Sequence, residues 1–103
     1  MSEITINIGN EFSKLLGGGK KGVVKYSGEE FREEFLDNNF ETYDRINIEL
    51  DGVLGYPWDF LDQSFAELAR KYGRAAFLEK INFIARDSYV IDKINHMIDK
   101  QII

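Results

Sequence analysis

Strand-like and helix-like segments alternate along this chain, and that alternation restricts its fold more than any other feature. Residues 4–8 and 45–50 alternate apolar with polar side chains, as strands with one buried face do. Residues 23–26 and 81–84 are short, mainly apolar runs that also indicate strands. Because helical segments separate most of these strands, crossover connections are needed, and the sequence predicts an α/β fold with parallel strand pairs.

Three segments carry helical signals. Ser27 stands three residues before Glu30, the spacing of a capping box, and predicts a helix that ends near residues 38–39. The strongest helix has a continuous apolar stripe and a glycine at its end. The last helix begins at residue 87 or 88. The apolar positions of the second and third helices are Leu61, Phe65, Leu68, Ala69 and Tyr72, followed by Gly73, and then Ile91, Ile94 and Ile98.

The predicted fold is a small two-layer α/β domain that occupies residues 1–103. It has a mixed sheet of about four strands and three helices mainly on one face, in the order β-β-α-β-α-β-α. A length of 103 residues is typical of one domain, and 44% hydrophobic residues can form a core. The strand order does not follow from this pattern.

Composition removes several classes of function. The chain has no cysteine and one histidine, so we expect no metal, no other cofactor and no catalytic activity. A net charge of −5 disfavours direct nucleic-acid binding. No apolar run is long enough to span a membrane, and no signal peptide follows the opening methionine, so we expect a cytoplasmic protein.

The segment Tyr56-Pro57-Trp58 is the main candidate for a binding surface, because tyrosine and tryptophan are enriched at interface hot spots. The alternative, that both rings fold over the edge of the core, is equally compatible with the sequence. Asp59 fits a helix N-cap, although a second register makes Pro57 the first helical residue. Gln63 lies one turn further along and completes the candidate partner-binding set.

Residues 17–22 form a glycine-rich run that resembles a phosphate-binding loop but fails the Walker pattern, since Val23 stands where lysine should follow the last glycine. We interpret the run as a loop, with weak anion contact through Lys20 and Lys21 left open. His96 lies away from the apolar stripe of its helix, and we expect it to face solvent.

Three separated segments resemble one family. The Ile-Thr-Ile-Asn-Ile strand, residues 27–32 (Ser-Gly-Glu-Glu-Phe-Arg) and residues 50–68 are similar to the bacterial STAS-like domains of unknown function. The last segment has their order of a strand, an Asp-Gly turn, a Gly-Tyr loop and a Phe-Leu helix. The resemblance implies a STAS-like fold and a relationship to the anti-sigma factor antagonists.

The resemblance also implies a partner, an ATP-binding histidine-kinase-like or anti-sigma-type regulator. In the related antagonists, phosphorylation of a serine or threonine at the start of a helix breaks docking, because it adds a charge of about −1.5 to −2. Here that position falls on or beside Asp59, and Ser64 is the next hydroxyl. The predicted function is therefore a regulatory protein-interaction module without this switch. The alternative is a small-ligand or nucleotide-binding domain that uses the glycine run and helix N-termini; the oligomeric state is left open.

Overall fold

The computed structural model describes residues 2–20, 22 and 25–101. Two of its helices contain a wider π-helical turn between two α-helical parts. The elements in chain order are β1 (Glu3–Asn7), α1 (Ile8–Glu11), α2 (Gly28–Phe31, Arg32–Leu36 and Asp37–Thr42), β2 (Arg45–Glu49), α3 (Trp58–Leu61, Asp62–Ala66 and Glu67–Tyr72), α4 (Arg74–Lys80), β3 (Ile81–Ile84) and α5 (Ser88–Gln101).

The sheet described by the structure has three strands in the order β1-β2-β3, and both pairs are parallel. The prediction of a mixed sheet with about four strands is therefore wrong for the described residues. Val23 and Val24 of the predicted second strand lie outside those residues. Tyr26, the last residue of that predicted strand, has a φ of 55°, which lies in the left-handed region and not in the extended one.

The two faces of the sheet differ in polarity. One face carries the buried side chains of Ile6, Ile46 and Ile48, which belong to the same core as the helices. On the opposite face, the Asn82 amide donates to Asn47 Oδ1 at 3.0 Å and the Asn47 amide donates to Thr5 Oγ1 at 3.4 Å. The period-two pattern thus buries one face and leaves a row of polar side chains on the other, as in a two-layer domain.

The described part of the chain contains five helices instead of the three that were predicted. Ile8 begins α1 rather than ending a strand, because the Asn7 side chain caps the helix by accepting a hydrogen bond from the Asn10 N–H at 2.9 Å. The seven-residue α4 follows Gly73, whose φ of 95° ends α3 as predicted. Because α4 is only about two turns long, it is too short for an apolar periodicity to be recognised in the sequence.

Helix α2 begins as predicted and ends later. Ser27 Oγ accepts a hydrogen bond from the Glu30 N–H at 3.1 Å, which confirms the cap. The expected stop near residues 38–39 is wrong, since the helix continues to Thr42. The Asn39 amide donates to the Phe35 carbonyl within the helix at 2.7 Å, so this asparagine satisfies helical backbone instead of breaking it.

The predicted apolar stripe of α3 lies in the core. Phe65 is fully buried, with its ring centroid 6.0 Å from that of Phe31 on α2 and 5.0 Å from that of Phe83 on β3. Ile94 and Ile98 of α5 are also buried, as expected. Among the described residues, no helix combines the length and the apolar character that a membrane crossing requires.

Candidate functional site

The loops that follow the three strands meet at the carboxyl edge of the sheet, because all three strands point the same way. The loop after β2, residues 50–57, lies at the centre, and we call it the central loop. Its Leu54 N–H donates at 2.9 Å to the carbonyl of Lys14, which lies in the loop that follows β1 and α1. Its Asp51 carboxylate accepts from the Arg86 N–H in the loop after β3, at 3.1 and 3.2 Å. Ligand sites of open α/β sheets lie at this edge.

Tyr56 fixes the shape of the central loop. Its ring is buried, its hydroxyl donates to the Leu50 carbonyl at 2.7 Å, and its own carbonyl accepts from Lys93 Nζ at 2.6 Å. Burial, with a smaller contribution from the nearby Asp51 carboxylate, raises the pKa of the Tyr56 phenol far above its usual value. The phenol therefore stays protonated and acts as an internal hydrogen-bond donor, while its ring offers little surface to a partner.

Trp58 projects from the start of α3 and is 50% exposed. Lys93 Nζ lies 4.6 Å from its ring centroid, within the range of a cation–π contact. Pro57, which is exposed and extended with φ of −60° and ψ of 145°, is the N-cap residue, and Trp58 is the first helical residue. Asp59 is therefore the second residue of the helix and not its cap. Its exposed carboxylate still lies where the helix dipole favours negative charge.

Large apolar side chains are exposed around this loop. Leu54 is 82% exposed, and with Leu15 and Pro57 it lines a shallow groove of about 370 Å³. Tyr89, at the start of α5, is 66% exposed and faces Leu54 across a second cleft. We call the set Leu15, Leu54, Pro57, Trp58 and Tyr89 the loop face.

The second cleft lies between the central loop and α5 and encloses about 310 Å³. Buried Leu50 and Tyr56 line it together with more exposed side chains from both walls. The lining residues are Leu50, Asp51, Gly52, Val53, Leu54, Gly55, Tyr56, Ala85, Asp87, Tyr89, Val90 and Lys93.

The backbone of Gln63 belongs to the contact between α2 and α3. In the π-helical turn, the Glu67 N–H donates to the Asp62 and Ser64 carbonyls rather than to that of Gln63. The Gln63 carbonyl instead accepts from Arg32 Nε on α2 at 2.9 Å. The structure therefore brings Pro57, Trp58 and Asp59 together at the start of α3 but gives Gln63 a structural contact.

The glycine-rich run covers the start of α2. The Gly18 carbonyl accepts from the Gly28 N–H at 3.0 Å, and the Gly19 carbonyl accepts from the Glu29 N–H at 2.9 Å. The Ser27 hydroxyl accepts from the next N–H, that of Glu30. Contacts within the chain therefore already use the N–H donors that an anion would need. Lys20 is exposed, and Lys21 lies outside the described residues.

Two other residues considered from sequence lie apart from the site. Ser64 is fully buried, and its hydroxyl donates to the Phe60 carbonyl at 2.7 Å, so a phosphate cannot be added there without opening the core. His96 is exposed on α5, as expected. Among the residues that the structure describes, no group of three or more histidine and carboxylate side chains is arranged to hold a metal ion.

Sequence reasoning missed Leu15, Leu54, Tyr89 and Lys93. A leucine in a loop and a tyrosine near a helix start carry no signal that separates surface from core. Lys93 is connected to the loop only by tertiary structure. Their common location at the carboxyl edge becomes visible once the three loops are brought together.

The strand β2, the Asp-Gly turn, the loop after it and α3 all lie within the residues that a family model matches. The model of the STAS-like domain of unknown function (DUF4325) matches residues 27–90, which is more than half of the chain. The chain belongs to this family. No curated protein and no solved structure gave a significant match. The STAS-like resemblance is thus confirmed, and the matched residues include the central loop, Trp58 and Tyr89.

Proposed function

We propose that this STAS-like domain is a regulatory module that docks to a partner protein through the loop face. The observation that carries the proposal is the exposure of large apolar side chains around one loop at one edge of the sheet. Leu15, Leu54, Trp58 and Tyr89 are between 50% and 82% exposed, although the domain has a well-formed core. Clustered exposed apolar side chains are typical of interaction surfaces.

The hydrogen bonds of the central loop support the proposal. Tyr56 is tied to Leu50 through its hydroxyl and to Lys93 through its carbonyl, and Leu54 is tied to Lys14. A loop held at these points loses little conformational entropy when a partner binds, so more of the contact energy contributes to affinity.

The class of partner rests on the resemblance to anti-sigma factor antagonists, which suggests an ATP-binding histidine-kinase-like or anti-sigma-type regulator. By that resemblance, the position of the regulatory hydroxyl falls on or beside Asp59, which is exposed next to Trp58. We propose that its permanent charge contributes to docking and that phosphorylation at this point plays no part. The proposal includes no chemical step, cofactor, nucleic acid or membrane.

The alternative of nucleotide binding loses support at the glycine-rich run. The amides of Gly28, Glu29 and Glu30 already donate to Gly18, Gly19 and Ser27. An anion at this point would have to displace these internal contacts. We therefore prefer protein docking.

The test compares tagged wild-type protein with Trp58→Ala and Leu78→Ala, each purified from the native host with its bound proteins. Leu78 is the matched control, since it is 52% exposed but lies on α4, which runs toward the amino edge of the sheet. A partner should be retained by the wild type and by Leu78→Ala and lost from Trp58→Ala. All three proteins should melt at similar temperatures. Equal retention by all three proteins would contradict the proposal.

A further inference from the structure

The cleft between the central loop and α5 is lined by buried residues at its base and by exposed residues at its rim, as expected of a pocket that receives one side chain. Leu50 and Tyr56 are 3% and 8% exposed, Val53 and Val90 are half-buried, and Leu54 at the rim is 82% exposed. Its volume of about 310 Å³ is at the lower end for a small-molecule site, which typically spans about 300–1,000 Å³. The apolar lining and small size suit an aliphatic or aromatic side chain from a partner.

The charges at the cleft restrict the partner further. Asp51 and Asp87 both line it and both are exposed. Each carboxylate accepts a backbone N–H, from Arg86 and Tyr89 respectively, and these bonds hold the carboxylates at the cleft while leaving further acceptor positions.

The positive charge of Lys93 does not neutralise the two carboxylates that an incoming ligand would meet. Among the described residues that line the cleft, it carries the only positive charge. Its ammonium is already engaged by the Tyr56 carbonyl and the Trp58 ring. A phosphate or carboxylate ligand would therefore meet two negative charges at the lining while Lys93 is already engaged, whereas lysine or arginine would be attracted.

Building on the proposed function, we propose that the docking partner presents to this cleft a linear segment that combines an apolar residue with a basic one. One apolar side chain enters between Leu54 and Tyr89, and a neighbouring lysine or arginine pairs with Asp51 and Asp87. The segment is recognised by shape at the apolar end and by charge at the rim. The loop face around the cleft supplies the remaining contact area.

The experiment uses the full chain as bait for a display library of random linear peptides, followed by affinity measurements with the enriched peptide. The enriched sequences should combine an apolar residue with a nearby lysine or arginine. Leu54→Ser should weaken binding about ten-fold or more, as the loss of a hot spot does. The matched control Leu78→Ser should leave the affinity unchanged.

The charge component is measured with Asp51→Asn and Asp87→Asn, which preserve an acceptor for the backbone N–H groups. Each should weaken peptide binding about two- to five-fold at low salt, and the loss should shrink as salt is raised. Glu79→Gln, an exposed charge change on α4, should have no effect. All variants are first checked for an unchanged melting temperature.

The possible failures are distinguishable. If Leu54→Ser weakens binding but the two asparagine variants do not, the basic segment is overturned while docking through the loop face stands. If Leu78→Ser weakens binding as much as Leu54→Ser, both proposals are overturned. If argininamide or leucinamide alone binds as tightly as the peptide, the cleft is a small-molecule site and the inference is wrong.

Discussion

Gly28 allows the backbones of α2 and α3 to touch. A Cβ atom built on Gly28 would overlap the Phe60 carbonyl oxygen and lie 2.9 Å from its carbonyl carbon. Backbone cannot move aside as a flexible side chain can, so any larger residue must separate the two helices. The sequence predicted the Ser27 cap, because its partner is three residues away, but not this contact with a residue far along the chain.

We expect Gly28→Ala to lower the free energy of unfolding by about 1–3 kcal/mol or more, as overpacking in a core does. Gly55→Ala is the matched control, since an added Cβ there meets nothing within 4 Å. It should change stability by no more than about 0.5 kcal/mol. Urea denaturation of the three proteins measures both values, and equal midpoints for the two variants would contradict the close approach.

Tyr56 makes stability depend on alkaline pH. Burial raises the pKa of its phenol in the folded state, while in the unfolded chain it ionises near the usual value of about 10. Above that pH the unfolded state releases a proton that the folded state keeps. Stability contributed by the neutral phenol is therefore complete below about pH 10 and is lost as pH rises further, by about 1.4 kcal/mol per pH unit.

Tyr56→Phe tests this dependence, because phenylalanine keeps the ring and removes the ionisable group. At neutral pH the variant should lose about 0.5–1.5 kcal/mol, the usual value of one hydrogen bond. Between about pH 10 and 12 its stability should fall less steeply than that of the wild type, since the other tyrosines are common to both. Parallel stability curves above pH 10 would show that the phenol titrates normally.

At the scale of elements, periodicity identified the helices with long apolar stripes and missed the π-helical turns of α2 and α3. A π-helical turn contains about one residue more than an α-helical turn. An apolar stripe with spacings of three and four residues can continue across it, so the turn leaves no mark on the sequence pattern. The consequence appears only in the hydrogen bonds, where Arg32 supplies a donor to the Gln63 carbonyl. Arg32 also contacts the Asp37 carboxylate at 3.2 Å, so one guanidinium serves two acceptors.

We expect Arg32→Lys to lower stability by about 1 kcal/mol although the charge is kept, because one ammonium cannot reproduce the two directed contacts of the guanidinium. Arg70→Lys is the matched control. Arg70 is more exposed and pairs with Asp62 and Glu67 through side chains alone, so its replacement should cost at most about 0.5 kcal/mol. Thermal denaturation with both variants measures the difference, and equal losses would assign Arg32 no special role between the helices.

At the scale of the whole molecule, the alternating pattern was sufficient to predict parallel strands, crossover helices and a buried sheet face. It also directed attention to the loop before α3, because tyrosine, proline and tryptophan occur together there. It could not supply the rest of the loop face, since Leu15 and Tyr89 reach that loop from distant parts of the chain. It could not show that Tyr56 is internal while Trp58 is exposed, because both are aromatic residues beside the same proline.

The fluorescence of Trp58 tests whether Lys93 of α5 lies against its ring at the loop face. The ring is half exposed and Lys93 of α5 lies over it. Because Trp58 is the one tryptophan of the chain, its fluorescence reports this contact directly. Because the ring is half exposed, we expect iodide to quench it efficiently in the wild type.

In Lys93→Gln, quenching by iodide should fall and quenching by caesium should rise relative to the wild type, because a positive charge beside the ring is removed; the change should be largest at low salt, where the charge is least screened. Leu78→Ala, on the other edge of the domain, should quench like the wild type. A blue-shifted emission that neither ion quenches would mean that the ring packs against the core. In that case Trp58 could not contribute to docking, and the loop face would have to function through its leucines and Tyr89 alone.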